Sequence, residues 1–223
     1  MVDLKVAANP ASQVHEVVAQ LVMAVREGHL APGQHLVEAD FAKRFGVART
    51  TIREAFQRLE VEGLLSQERH RGFLVRVIGR KELREIYEAR AALDGMAARM
   101  AAPHFKRDSK ELDRIFVGLE QAHASFNMKE FTRFNREFHH VIRLASGNDL
   151  IGRMLGRLEQ SVYYYQFRLL IDNALVFQSQ DDHRKIYQAL KQGDGAAAEI
   201  ETRDHAIHSF DRLMQLPDTL FER

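Results

Sequence analysis

The run Phe45-Gly46-Val47-Ala48-Arg49-Thr50-Thr51-Ile52-Arg53-Glu54-Ala55 closes one short helix and opens another. Upstream, Glu38 to Phe45 has helical spacing, and Gly46 supplies the left-handed stop. A second helix begins near Ala48 and carries Ile52, Ala55, Phe56 and Leu59 on one side. Two helices joined by a short glycine-containing turn make a helix-turn-helix. Burying Ile52, Phe56 and Leu59 leaves Arg49, Thr50 and Arg53 outward near the N-terminus of the second helix. That end carries unsatisfied N–H groups and a positive dipole, both suited to phosphate. Arginine adds bidentate reach to guanine edges.

Working outward, Val14, Val17, Val18, Leu21, Val22 and Val25 form one apolar helix stripe, with Ser12 as its expected cap and Gly28 as its stop. Ala31-Pro32-Gly33-Gln34 reads as a tight turn. Beyond Glu62-Gly63, Leu64 and Leu65 start a strand, and His70-Arg71-Gly72 makes a turn. Phe73, Val75 and Val77 then alternate with Leu74, Arg76 and Ile78, which completes a hairpin with a basic tip, a wing. Lys43, Arg44, Arg49, Arg53 and Arg58 face only Glu54 in their stretch, and Arg69 to Arg80 contains no acid. The whole chain is nevertheless only +1, so positive charge is concentrated where a polyanion would meet it.

Leu36-Val37-Glu38, Phe41-Ala42, the run from Phe45 to Ala55, and Leu59-x-x-Glu62-Gly63-Leu64-Leu65 together resemble the GntR family of bacterial regulators over about residues 12 to 78. The resemblance implies DNA contacts at Arg49, Thr50, Thr51 and Arg53, and on the wing at Arg69, His70, Arg71 and Gly72. Ala39 stands where some members carry a DNA-contacting arginine, and Ala48 where Ser or Thr is common, so the operator sequence does not carry over.

The 223 residues suit two domains, with 45% hydrophobic and 28% charged residues as in ordinary globular chains. No apolar run reaches the ~18 residues of a membrane span, and Met1 to Pro10 lacks a signal-peptide layout. The absence of cysteine excludes disulfides and thiolate metal sites and points to the cytoplasm. After Gly79 no strand pattern recurs. Breakers and caps divide the remainder into about six helices: Lys81 to Ala102 ending before Pro103, Ser109 to Asn127, Lys129 to Ala145, Asp149 to Leu170, Ser179 to Lys191, and Asp194 to Met214. The expected fold is mainly α, a winged helix-turn-helix at residues 1–78 followed by an all-helical bundle at 79–223.

In the first bundle helix Leu83, Ile86, Arg90, Leu93, Ala97 and Met100 share a stripe, which puts Arg90 on the buried face. A buried guanidinium needs a partner, either a protein carboxylate or the carboxylate of a ligand. Asn135 and His139 are four apart beside Phe131, Phe138 and Ile142, His183 shares a stripe with Tyr187 and Leu190, and His205 lies on the last helix. By spacing alone, inward histidines suit a hydrogen-bonded core as well as a metal held between helices. His140 and His208 read as surface or supporting groups, and Tyr163, Tyr164 and Tyr165 as core or dimer-face residues.

Asn135-x-x-Phe138-His139, Ser146-Gly147-Asn148, His183-x-x-Ile186-x-x-Ala189-Leu190, Gly193-Asp194 and His205 resemble the ligand-binding FCD domain of the FadR-type branch of that family, over about residues 80 to 215. In many relatives an aspartate and three histidines hold a divalent metal, and a metabolite carboxylate binds it beside a helix-one arginine. The matching positions are Asn135, His139, His183, His205 and Arg90. Asn135 departs from the pattern: an amide oxygen can coordinate zinc or nickel but brings no charge.

The implied function is a homodimeric regulator, in this family usually a repressor, on a palindromic DNA operator, modulated by a small carboxylate effector. Two alternatives make the metal itself the signal or the site merely structural. A metal-dependent hydrolase is disfavoured, since no HExxH motif and no inward carboxylate placed as a base is visible.

Overall fold

The structure, a computed structural model, describes residues 10–68, 72–171 and 177–221, with backbone alone at 10–11 and 163–171. The chain divides into two compact units. One contains Met1–Gly79 with Glu159–Arg168 and Pro217–Arg223, and the other Arg80–Leu158 with Leu169–Leu216.

The N-terminal unit is built from α1 (Pro10–Arg26), β1 (His35–Leu36), α2 (Glu38–Phe45), α3 (Arg49–Val61), β2 (Leu65–Glu68) and β3 (Gly72–Val75). The strands form one antiparallel sheet in the order β1-β3-β2, with His35 opposite Leu74 and Leu65 opposite Val75. Val14, Val17, Leu21 and Val25 of α1 bury against Ile52, Phe56 and Leu59 of α3. Phe56 links the layers, edge-on to Phe41 at 5.6 Å and to Phe73 at 5.4 Å. Truncating so buried an aromatic ring costs about 3–5 kcal/mol. Gly46 (φ 67°) ends α2 as expected, and the Ala31–Gln34 turn closes through Gln34 N–H to the Ala31 carbonyl at 3.0 Å.

Three local expectations change. Helix α1 starts at Pro10, ahead of Ser12, because proline's missing N–H costs nothing in the first turn. The strand β1 was not anticipated, being only two residues long. The expected alternation after Gly72 also fails: Phe73, Leu74 and Val75 are buried in succession and Ile78 is buried too. The middle strand of a sheet can bury both faces, which erases a two-residue period.

The second unit contains α4 (Arg80–Arg107), α5 (Lys110–Ala124), α6 (Met128–Ala145), α8 (Gln180–Gln192) and α9 (Gly195–Leu213), together with both ends of α7 (Asp149–Ile171); the Glu159–Arg168 stretch of α7 and the short 3₁₀ turn Asp218–Leu220 group with the other unit. Phe105 of α4, Leu112 and Leu119 of α5, Phe131 and Phe138 of α6, and Ile186 and Leu190 of α8 form its core. Caps account for the boundaries. Asp194 accepts Ala197 N–H at 3.0 Å to start α9, and Asn148 accepts Ile151 N–H at 3.1 Å to start α7.

Pro103 does not end the first bundle helix; α4 runs through it to Arg107. Proline there leaves the Arg99 carbonyl without its helical donor, at a cost of roughly 3 kcal/mol. Burial of Ala101, Ala102 and Phe105 along the same face offsets that loss. Gly195 allows α9 to approach, since a Cβ there would stand 3.0 Å from the Arg99 carbonyl oxygen.

Candidate nucleic-acid interface and metal centre

In the N-terminal unit, Arg49, Thr50 and Arg53 are exposed on α3. Thr51 is not: it is 8% exposed and packs with Ile52, Ala55, Phe56 and Leu59 on the inner side. Its position four residues before Ala55 puts it on the buried stripe, so Thr51, a DNA contact by resemblance alone, lies on the inner side of α3 and not beside the exposed Arg49, Thr50 and Arg53. Arg53 is held in a fork, its Nε donating to Glu38 Oε1 and Nη2 to Oε2, both at 2.8 Å. Arg49 Nη2 stands 4.0 Å from the same carboxylate. These bonds to Arg53, followed by the nearby guanidinium charges, hold Glu38 below the usual carboxylate range. The sequence reading missed Glu38, whose role depends on packing between α2 and α3.

Glu38, Arg49, Arg53 and Gln57 line a cleft of about 550 Å³, closed by Gln67, Gly72 and Phe73 from the wing strands. Gly72 opens β3 with φ 81°, a conformation suited to glycine. Arg69, His70 and Arg71 lie outside the described residues.

In the bundle, α6, α8 and α9 bring His139, His183 and His205 together, with one ligand atom from each within 4.8 Å of the others. The ring centroids of His183 and His205 are 4.7 Å apart, and those of His139 and His205 5.0 Å. Nε2 of His183 and Oδ1 of Asn135 are both buried without a hydrogen-bond partner. Orphaned acceptors of this kind are costly unless something is bound. Burial holds His139 and His183 well below the ordinary imidazole pKa, and the neighbouring imidazoles act in the same direction. His205 is also lowered by burial, against the pull of Asp182. All three are therefore in the neutral form that ligates a metal. A tetrahedral ion with ~2.0–2.1 Å bonds to nitrogen needs N···N separations of ~3.4 Å, against ligand atoms that here lie within 4.8 Å of one another. The residues fit such an ion.

Arg90 is buried as expected, with Nε 3.8 Å from Asp94 Oδ2 and its guanidinium 4.7 Å from the Tyr87 ring centre. Asp94 also accepts Arg143 Nε at 3.2 Å. Both guanidiniums are near enough to disfavour protonation of His139. His140 is exposed. His208 is exposed, with Nδ1 3.2 Å from Asp182 Oδ1. The side chains of Tyr163, Tyr164 and Tyr165 lie outside the described residues.

Asp182 was not singled out from sequence, although it adjoins His183. Its Oδ2 is 3.5 Å from His205 Nδ1 and 3.8 Å from Arg212 Nη1. Burial alone would raise its carboxyl, but His205 and His208 hold it at about 2.

Residues 13–75 match the family described as "Bacterial regulatory proteins, gntR family", and residues 85–208 match the FCD domain. The chain belongs to the GntR family. It is 30% identical over 195 residues to a probable D-xylose utilization operon transcriptional repressor of Paenarthrobacter nicotinovorans, covering 87% of this chain and 84% of that one. It is 27% identical to the HTH-type regulator YdhC of Bacillus subtilis, covering 87% and 88%. The solved structure of Escherichia coli McbR/YncC superposes with a TM-score of 0.78 at 24% identity, covering 91% of this chain and 97% of that one, and shares the fold. This GntR-family protein is thus a DNA-binding transcriptional regulator, with a winged head and an FCD domain, and not an enzyme.

Proposed function

We propose that the regulator binds a palindromic operator as a homodimer, most simply as a repressor, and that a small carboxylate effector in the FCD domain modulates that binding. The head at residues 1–78 presents Arg49, Thr50 and Arg53 to DNA, with Arg69, His70, Arg71 and Gly72 of the wing on the adjacent backbone. Residues 79–223 form the sensing and dimerising part. Asn135, His139, His183 and His205 hold a divalent metal, zinc or nickel by donor type. A metal held there would supply a positive point for a carboxylate, and Arg90, whose Nε lies 3.8 Å from Asp94 Oδ2, would be the guanidinium to share that carboxylate. Among the described residues no helix is long and apolar enough to cross a membrane, and the cysteine-free composition fits a reducing cytoplasm.

The observation that carries this reading is the histidine cluster itself, in which His183 Nε2 is buried without a hydrogen-bond partner, as is Asn135 Oδ1 one helical turn before His139. The effector acts through unequal affinity for the DNA-competent and incompetent arrangements. Thermal unfolding against a panel of small carboxylic acids, with and without prior chelation, tests it. One acid should raise the midpoint only in the metal-loaded protein. If metal stabilises and no acid adds to it, the metal itself is the signal or the site is structural.

A further inference from the structure

We propose that Gln180 is a positioning residue for the histidine cluster, relaying the Glu120 carboxylate to His183 and fixing the tautomer that ligates through Nε2. The inference rests on the metal-binding reading only for its purpose; the relay itself stands on geometry.

Gln180 opens α8 and is 1% exposed. Its Nε2 donates to Glu120 Oε1 on α5 at 2.7 Å, and its Oε1 lies 3.3 Å from His183 Nδ1. Turning the amide over would set its oxygen against the Glu120 carboxylate, so the amide has one orientation. An amide oxygen only accepts. His183 Nδ1 must therefore carry the proton, which leaves Nε2 with a free lone pair. That Nε2 is the buried atom without a hydrogen-bond partner beside His139 and His205.

Glu120 is itself fixed. Arg184 grips both its oxygens, Nε to Oε1 at 2.8 Å and Nη2 to Oε2 at 2.9 Å, which keeps it anionic and still. The path thus runs from Arg184 through Glu120 and Gln180 to His183. At His205 the neighbouring group is instead the Asp182 carboxylate, 3.5 Å from Nδ1 and outside hydrogen-bond geometry. One ligand is backed by a neutral amide and the other by an anion. Outer partners of this kind set ring orientation and ligand basicity, and losing one lowers metal affinity about 10–100-fold.

The test reads the tautomer directly, by two-bond ¹H–¹⁵N correlations of the histidine rings in the full-length, chelated protein. Wild type should show His183 as the Nδ1–H form. Gln180→Met removes the acceptor, so Nε2–H should become populated, and nickel affinity in a chelator competition should fall about 10–100-fold. Glu120→Gln retains the packing and frees the amide to turn, so it should give a tautomer mixture and a smaller loss. Retention of pure Nδ1–H in both variants overturns the relay. If the tautomers move as expected while wild type takes up neither nickel nor zinc, the relay stands and the metal-binding reading of the proposed function falls.

Discussion

Arg53, proposed to meet DNA, and His183, proposed to ligate a metal, are kept by the protein in opposite states. Arg53 is exposed, and its fork is filled by Glu38 at 2.8 Å on two bonds. His183 is fully buried, and its Nε2 has no hydrogen-bond partner. The head can therefore rest without DNA at little cost, because water and Glu38 satisfy its cations. The bundle cannot rest so easily. A buried acceptor lacking a partner costs about 1–3 kcal/mol, so occupancy of the cluster should be felt as stability, whereas occupancy of the DNA face should be felt mainly as affinity.

The largest consequence concerns metal. Free nickel at 1,000 times its dissociation constant should stabilise the chelated protein by about 4 kcal/mol, which raises the unfolding midpoint by roughly 8–16 °C at this size. His183→Ala should abolish the shift while leaving operator affinity of the metal-free protein unchanged. A midpoint that ignores nickel and zinc in calorimetry would break the comparison at its stronger end.

Acid should separate the two regions next. The folded pKa values of His139 and His183 are depressed, chiefly by burial. In the unfolded chain these rings take up protons near pH 6.5, whereas the folded protein resists protonation. The unfolded state therefore binds more protons as pH falls, and stability is lost below about 6.5. Both rings act in the same direction, so the chelated protein should be less stable at pH 5.5 than at pH 7. Denaturant titrations at the two pH values measure it, and in a His139→Phe, His183→Phe double variant most of the dependence should vanish.

Legibility from sequence divides along similar lines. Helix limits were readable where a single residue sets them: Gly46 and Gly193 adopt positive φ, and Asp194 caps its own helix. The ligand candidates were readable from the family resemblance, spacing alone leaving core and metal readings open, and the structure brings His139, His183 and His205 together, while Asn135, one turn before His139, keeps a buried oxygen without a hydrogen-bond partner. Pro103 was not, because its local penalty is outweighed by burial of Phe105, a tertiary quantity. Nor were Gln180 and Asp182, which read as ordinary polar residues in the first turn of a helix. Their partners are Glu120 on α5 and His205, His208 and Arg212 on α9, contacts that no local spacing encodes. Thr51 teaches the reverse. The stripe Thr51-Ala55-Leu59 marks it as core, and only the family resemblance made it a DNA contact.

On the DNA face, Arg49→Ala should weaken operator binding by about 1–3 kcal/mol if the side chain reads a base, or roughly 5–150-fold. The thermal midpoint should hardly move, because Arg49 is exposed and its contact with Glu38 is 4.0 Å long. Fluorescence anisotropy on a labelled operator, run beside calorimetry, separates the two effects. A stability loss exceeding the affinity loss would place Arg49 in the architecture of the head.

The smallest effect distinguishes neighbours. Thr50 is exposed and Thr51 is buried against the core of α3. Valine keeps the shape of threonine and removes its hydroxyl. Thr50→Val should therefore cost operator binding about 0.5–1.5 kcal/mol, the worth of one uncharged hydrogen bond, with no change in melting. Thr51→Val should leave operator affinity within error and register only in stability. A loss of affinity at Thr51 equal to that at Thr50 would mean that α3 turns on binding DNA, exposing a face that the free head keeps inside.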